Sequence, residues 1–401
     1  MPDWVPATPR LLRRVSAGAV LEFMRSAGAV TVTEVMDATG LTRATGIAVC
    51  EDLKERGWIR ELENQRLVGD YQKGRPARRF ELNERAGVVL GLDIGYSKVT
   101  AAASDLRGET VGRASLPFDV AGLTAEGRIG LIDRVAMHAL HGAAAAPEAV
   151  LAACAGVPAP VDRHGDVVAT QEFWGLFDLD LRLALKERRG WTVLLENDAN
   201  LAALGDRWLG AARGVDDVVV ILASERLGSG VVDGGRLVHG SRGSAGELAY
   251  LDLVDGVGDT FGLAYLARAW AAEALAGPAP STLRAIAPEP VEAEHVFAAA
   301  GAGDAVALAI LDRLADRMAR VIGTVSTMWN PELVVIGGGV ATSAGGMLGP
   351  IGARLGKYTA TPPRVAVSPL GSSVVTVGAV RKALDYVEEH SLDLELPRAT
   401  G

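Results

Sequence analysis

Five short runs between positions 92 and 340 contain the residues able to do chemistry. Leu92 to Lys98 (LDIGYSK) turns at Gly95, while Leu222 to Gly230 (LASERLGSG) and Val334 to Val340 (VVIGGGV) are further strand-to-glycine turns. Turns of this kind present backbone N–H groups that can face a phosphate. Glu196 to Asn200 (ENDAN) places Asn197 and Asp198 at the end of an apolar strand and just before a helix, a common position for a ligand-binding carboxylate. Gly246 to Tyr250 (GELAY) adds a second carboxylate, Glu247, after the loop HGSRGSAGE. Each turn alone is a weak signal, and it is their succession that outlines a site for a polar ligand.

A different chemistry is written near the N-terminus. Val32 to Glu55 reads as two short helices joined at Gly40. Thr42 is the natural N-cap of the second, followed by Arg43, Ala44, Thr45, Gly46 and Ala48, with Ile47, Val49, Cys50 and Leu53 as its inward face. A small, polar outward face with one arginine suits a helix end that must approach base edges in a major groove. Trp58 to Leu62 and Arg79 to Leu82 can pair as strands around a turn bearing Lys73, Arg75, Arg78 and Arg79. Such a basic wing suits a phosphate backbone or a minor groove. An ordinary three-helix bundle with a solvated charge run is the plainer reading, but it leaves the clustering of cations beside the helix pair unexplained. The pattern therefore predicts a winged helix-turn-helix that binds double-stranded DNA, with Thr42, Arg43, Thr45 and Gly46 at base edges and Lys73, Arg75, Arg78 and Arg79 on the backbone or in a minor groove.

The elements that must position these groups follow from pattern. An amphipathic stretch from Thr8 to Ser26 predicts a first helix. Beyond Ala86 the texture changes to buried strands, glycine turns and alanine-rich helices. Val88 to Ile94 with Val99 to Asp105 forms a hairpin pattern, and strands recur at 149–157, 192–196, 217–222, 228–232, 333–336 and 364–367. Helical stretches at 128–142, 200–209, 260–275 and 303–330 separate them, which predicts an α/β architecture. Strand, glycine turn and strand occur twice, at Asp93 and around Leu227, as two similar lobes would require.

Composition bounds the function classes. The 401 residues are 49% hydrophobic, enough for a large core. No run approaches the roughly 18 apolar residues of a membrane span, and the N-terminus lacks a signal-peptide core, so a cytoplasmic location is expected, on the nucleoid when bound to DNA. Cys50 and Cys154 are far apart in apolar settings and read as packing residues. The net charge of −9 is unevenly divided: residues 1–86 carry 14 Lys and Arg against 12 Asp and Glu, whereas the rest carry 26 against 37. Only the N-terminal part suits a polyanion.

Taken in order, the motifs resemble the ROK family of repressors, open reading frames and kinases. The resemblance runs through GRPARRFELN, DIGYSK, GVPAPVDRHGDV, LLENDANLAALGDRWLGAARG, GSAGEL, NPELVVIGGGV and SPLGSSVVTVGAV. It implies a two-lobed actin-like (ribonuclease H-like) sugar-kinase fold behind a winged helix-turn-helix at residues 1–85. The first lobe would span 86–196, completed by a C-terminal helix at about 373–390, and the second 197–372. Members are sugar kinases or regulators that bind sugars or sugar phosphates, and those with the winged domain are mostly regulators. On this resemblance Asp198 matches the kinases' catalytic base, and Gly175, Asn197, Asp198, Glu247 and Tyr250 would bind a sugar or sugar-phosphate effector. Asp93, Gly95, Ser97, Lys98, Gly228, Gly337 and Gly338 would be vestiges of the phosphate loops.

The departures matter as much. Glu225 and Arg226 stand where family kinases usually have threonine and glycine, and Tyr96 replaces a glycine of the first loop. A carboxylate there should repel phosphate and a bulky cation should block close backbone approach, so kinase activity is not expected. Tyr250 replaces the family's zinc-binding histidine, and VDGVGDTFG (Val254 to Gly262) carries none of its cysteines. No zinc or other cofactor is expected, and His239 and His295 read as surface or loop histidines. Phe173 stands at the position of a family asparagine; with Trp174 and Tyr250 it could stack on a sugar or fill the space one left. The resulting expectation is a homodimeric regulator, a repressor, on a pseudo-palindromic operator, with an ATP-dependent sugar kinase carrying an accessory DNA module as the alternative.

Overall fold

The computed structural model describes residues 8–62, 78–117, 119, 122–286 and 288–397. The N-terminal unit comprises α1 (Pro9–Ser26), β1 (Val30–Thr31), α2 (Val32–Thr39), α3 (Arg43–Glu55), β2 (Ile59–Leu62) and β3 (Arg79–Leu82). Local chemistry sets its boundaries. The Thr8 hydroxyl caps α1, ahead of a proline at the first helical position. Thr31 and Glu34 form a reciprocal capping box on α2. Gly40, at φ 70°, ends α2 in the left-handed conformation that costs glycine nothing. Thr42 caps α3 as expected, its hydroxyl accepting the Thr45 N–H. The strands form a small sheet in the order β1-β3-β2, and Leu21, Met24, Val35, Cys50, Leu53, Trp58 and Phe80 are buried beneath it.

Two residues of α3 depart from the sequence reading. Gly46 is buried and lies against Val32 and Met36 of α2, on the face turned toward that helix. Ile47, assigned inward, is 40% exposed. The inward face is instead Gly46, Val49, Cys50 and Leu53, which recur at helical three- and four-residue spacing.

The body follows as β4 (Val88–Ile94), β5 (Lys98–Ser104), β6 (Thr110–Pro117), α4 (Ala125–Gly142), β7 (Val150–Val157), α5 (Glu172–Gly175), α6 (Leu181–Arg189) and β8 (Val193–Asn197). Next come α7 (Asp198–Leu209), β9 (Val218–Leu222), β10 (Gly228–Asp233), β11 (Arg236–Leu237), α8 (Leu263–Ala276), α9 (Ala293–Gly301) and α10 (Ala305–Trp329). β12 (Leu333–Gly337), α11 (Leu348–Leu355), β13 (Arg364–Val367) and α12 (Val374–His390) complete it. Two five-stranded sheets result, ordered β6-β5-β4-β7-β8 and β11-β10-β9-β12-β13. In each, three strands pair antiparallel and the last two join parallel, so the two sheets share one plan. Every residue of β7, β9 and β12 is buried, as befits strands covered on both faces.

The two sheets are joined through α7 and α12. α7 leaves the first sheet at β8 and packs on β9 and β10, whereas α12 leaves the second sheet at β13 and packs on β4 and β7. The helices cross closely: a Cβ at Gly378 would collide with the Leu201 carbonyl oxygen, and one at Gly205 would press on that of Val374. The N-terminal unit is docked on the far end of α12. Its core is continuous with that beneath the first sheet. The buried Trp58 Nε1 donates to the Ser391 carbonyl at 2.9 Å, Arg56 donates to that of Leu392, and Arg25 pairs with Glu388 at 2.7 Å. Arg107, in the turn after β5, bonds to Glu84 and to the carbonyl of Ala27.

Candidate functional site

Asp93 at the end of β4, Asp198 at the first position of α7 and Glu247 in the loop after β11 converge on the cleft between the sheets. Burial pushes the Asp198 carboxyl well above the usual carboxylate range, and the neighbouring Asp93 and Glu247 push it the same way. Burial also lifts Asp93 to about 6, against the opposing pull of Lys98 and Arg113, and lifts Glu247 to about 7. Three carboxyl groups held partly neutral can both donate and accept hydrogen bonds, the chemistry that a polyhydroxylated ligand requires.

Asn197 is only 7% exposed and its amide is engaged: Oδ1 accepts the Ala199 and Asn200 N–H groups and Nδ2 donates to the Ala159 carbonyl. It caps α7 and ties that helix to the first lobe. Tyr250 is 71% exposed, whereas Leu248 and Leu251 on either side are buried. Gly175 lies exposed at the end of α5. Glu196, which sequence reasoning passed over, is buried and bonded to His239 at 2.9 Å, to Asn200 and to Lys382. Burial works against its charge, but those partners outweigh it and hold the carboxyl near 2. His239, read as a plain loop residue, thus ties the second lobe to the first; the adjacent ENDAN motif contained the signal.

The glycine turns are occupied by the chain itself. Gly95 donates its N–H to the Lys98 carbonyl within the β4–β5 hairpin, while Ser97 and Lys98 are exposed. Gly337 accepts from the Ala223 N–H, and the Ser224 hydroxyl beside Gly338 accepts from Gly339, joining two turns to each other. Gly228 begins β10 opposite Leu222. Glu225 does not face the cleft as a free anion: Arg268 pairs with it at 2.6 Å, which removes the repulsion expected from sequence. Arg226 follows in the same turn. Its guanidinium lies 4.6 Å from the Phe173 ring and 5.6 Å from that of Phe261, and donates to the Thr260 hydroxyl. Tyr96 stacks on Phe173 at 6.0 Å and Tyr265 on Phe261 at 3.9 Å. This ladder runs from the first lobe to the second through both altered turns.

The residues do not fit the family's zinc. Val254 to Gly262 offers no thiolate, and among the described residues no cluster of three His, Cys, Asp or Glu could hold a metal. Guanidinium groups from α10 organise the loop instead. Arg317, 4% exposed, donates to the Val257 and Asp259 carbonyls and to the Asp259 carboxylate, and Arg320 donates to the Asp255 carbonyl. A cavity of about 380 Å³ beside this loop, lined by Val254, Asp255, Arg320, Thr324, Met328 and Tyr358, includes none of the cleft carboxylates.

At the N-terminal unit, Thr42, Arg43 and Thr45 lie at the start of α3, with Thr42 and Arg43 exposed. Lys73 and Arg75 lie outside the described residues. Arg78 pairs with Glu51 and Glu61 and packs over Phe80, so its charge is compensated within the protein. Arg79 is exposed and donates to the Ala29 carbonyl.

The ROK family model matches residues 89–384. A glucokinase from Thermotoga maritima is 32% identical over 216 residues, 51% of this chain and 68% of that one. A xylose repressor from Caldicellulosiruptor bescii is 22% identical over 342 residues, 82% of this chain and 84% of its own. The crystal structure of a ROK family transcriptional regulator, a homologue of the E. coli MLC protein, superposes with a TM-score of 0.75 at 21% identity, covering 95% of this chain and 99% of that one. At that identity the likeness carries the fold, a two-lobed actin-like sugar-kinase body.

Proposed function

Since the chain belongs to the ROK family, we propose that it is a sequence-specific DNA-binding transcriptional regulator, a repressor of sugar-related genes. Its N-terminal unit is a winged helix-turn-helix, and a sugar or sugar phosphate in the cleft is its effector. The observation that carries this reading is the N-terminal unit itself: a helix, a left-handed glycine turn and a second helix with an exposed, small-residue face, docked through a continuous core on the body. A kinase has no use for such a unit. The likeness to xylose repressors supports the reading. So does the Arg226 ladder, since a bulky cation stacked in that turn disfavours the close backbone approach that a nucleotide's phosphates require.

The protein would act in the cytoplasm as a homodimer, placing two copies of α3 in major grooves about one helical turn apart or a multiple of it. Effector binding to Asp198 and Glu247 would alter lobe closure, and effector and DNA binding would then be reciprocally linked. Purified protein should prefer its own upstream region over random duplex at about 0.15 M salt, fixed because phosphate contacts make affinity steeply salt-dependent. Equal binding to both would end the proposal.

The second reading, an ATP-dependent sugar kinase with an accessory DNA module, is favoured by Asp198 in the cleft and by the glucokinase relatives. It requires sugar-dependent ADP formation that disappears in Asp198→Ala. No turnover across hexoses and amino sugars would set it aside.

A further inference from the structure

The polar groups at the start of α3 are largely engaged within the helix. The Thr42 hydroxyl accepts the Thr45 N–H and lies 2.9 Å from the Thr45 hydroxyl, so the two side chains cap the helix together. Gly46 is buried against α2. Beyond the capping Thr42, what stays exposed along this face is Arg43, Ala44, Ile47 and Ala48. One exposed isoleucine needs no explanation. Aliphatic residues at positions 44, 47 and 48 form a stripe at helical spacing, beside an arginine that makes no ion pair among the described residues.

Charge is laid out along α3 in the same sense. The first turn holds no acidic residue. Glu51, Asp52 and Glu55 all lie in the C-terminal half, where Glu51 pairs with Lys54 and Arg78, and Asp52 with Arg13 and Arg56. The N-terminal half thus offers a polyanion the positive end of a helix, one guanidinium and no repelling carboxylate. The partner this surface complements is the major groove of DNA, where the 5-methyl of thymine is the apolar group on the base edges.

Resting on the DNA-binding reading above, we propose that α3 reads thymine methyls through Ala44, Ile47 and Ala48, with Arg43 supplying the hydrogen bonds to a base edge. Specificity in each half-site then lies in the position of thymines more than in a network of polar contacts.

The test begins by selecting duplexes from a random pool with the full-length protein at fixed salt. Each thymine of the enriched sequence is then replaced singly by deoxyuridine, which removes the methyl and leaves base pairing intact. A few positions in each half-site should each lose about fourfold in affinity, as expected for one buried methyl group. Ile47→Ala, at an exposed position where alanine favours the helix, should abolish the loss at one or more of those positions with melting temperature unchanged. Ile47→Val should retain it. Deoxyuridine that is neutral throughout, or an Ile47→Ala profile identical to the parent's, overturns the proposal while leaving DNA binding standing. Failure to enrich any sequence overturns the regulator reading, and this one with it.

Discussion

Two buried carboxyl groups respond oppositely to pH. Glu247 has its carboxyl raised by burial from 4.5 to about 7, so the folded chain holds a proton that the unfolded chain releases. Its ionisation costs nothing below about pH 4.5 and progressively more stability as pH rises through 7. Glu247→Gln should therefore melt higher than the parent at pH 8, by on the order of a few degrees, and at the parent's temperature at pH 4.5. No difference at pH 8 would mean that the carboxyl is solvated. Glu196 is the reverse case: held near 2 by His239 and Lys382, it stabilises above about 4.5 and that contribution is lost as pH falls through 2. Glu196→Gln should lower the melting temperature at pH 7, with the deficit shrinking towards pH 2. The ENDAN spacing marked this region in the sequence, but it did not separate the residues. Asn197, Asp198 and Glu196 are consecutive polar residues, and only the direction each side chain takes decides which one caps, which faces the cleft and which ties the lobes.

Elements read well where pattern was strong. Strand β13 and the helix over 9–26 match the expected spans closely. Strand β6 was missed because, as an edge strand, its residues alternate between exposed and half-buried without an apolar run. The loop at 254–262 shows an element whose support changed. Arg317→Met should remove the three hydrogen bonds that fix it and leave Asp259 unpaired, lowering stability on the order of 3 kcal/mol. Treatment of the parent with a strong chelator should leave the melting temperature unmoved; a drop on chelation would show that metal contributes after all. At the crossing of α7 and α12, Gly378→Ala drives a methyl into the Leu201 carbonyl and should cost roughly 3 kcal/mol. Gly349→Ala, at a position open to solvent, is the control that should cost nothing.

At the scale of the whole molecule, α12 links the parts. Its start lies beside Arg113, its middle crosses α7 at Gly378, Lys382 reaches Glu196, and Glu388 meets Arg25 of the N-terminal unit. Because the core of that unit continues into the first lobe, the two should unfold together. Calorimetry should show no separate low-temperature transition for the N-terminal unit, and Trp58→Phe, which removes the buried bond to Ser391, should shift the shared transition downward. A distinct early transition in the parent would contradict the shared core. The sequence by itself determined the two chemistries, the α/β pattern and the resemblance to ROK proteins, because helix caps, glycine turns and strand hydrophobicity are local and leave local marks. Only the tertiary structure decided that Arg226 stacks on Phe173 and Phe261, that Glu225 and Arg78 are held in ion pairs, that Ile47 is exposed and that Arg317 holds the 254–262 loop. Each of those outcomes depends on a partner tens of residues away, or on which way a helix turns its faces, and neither is fixed by spacing along the chain.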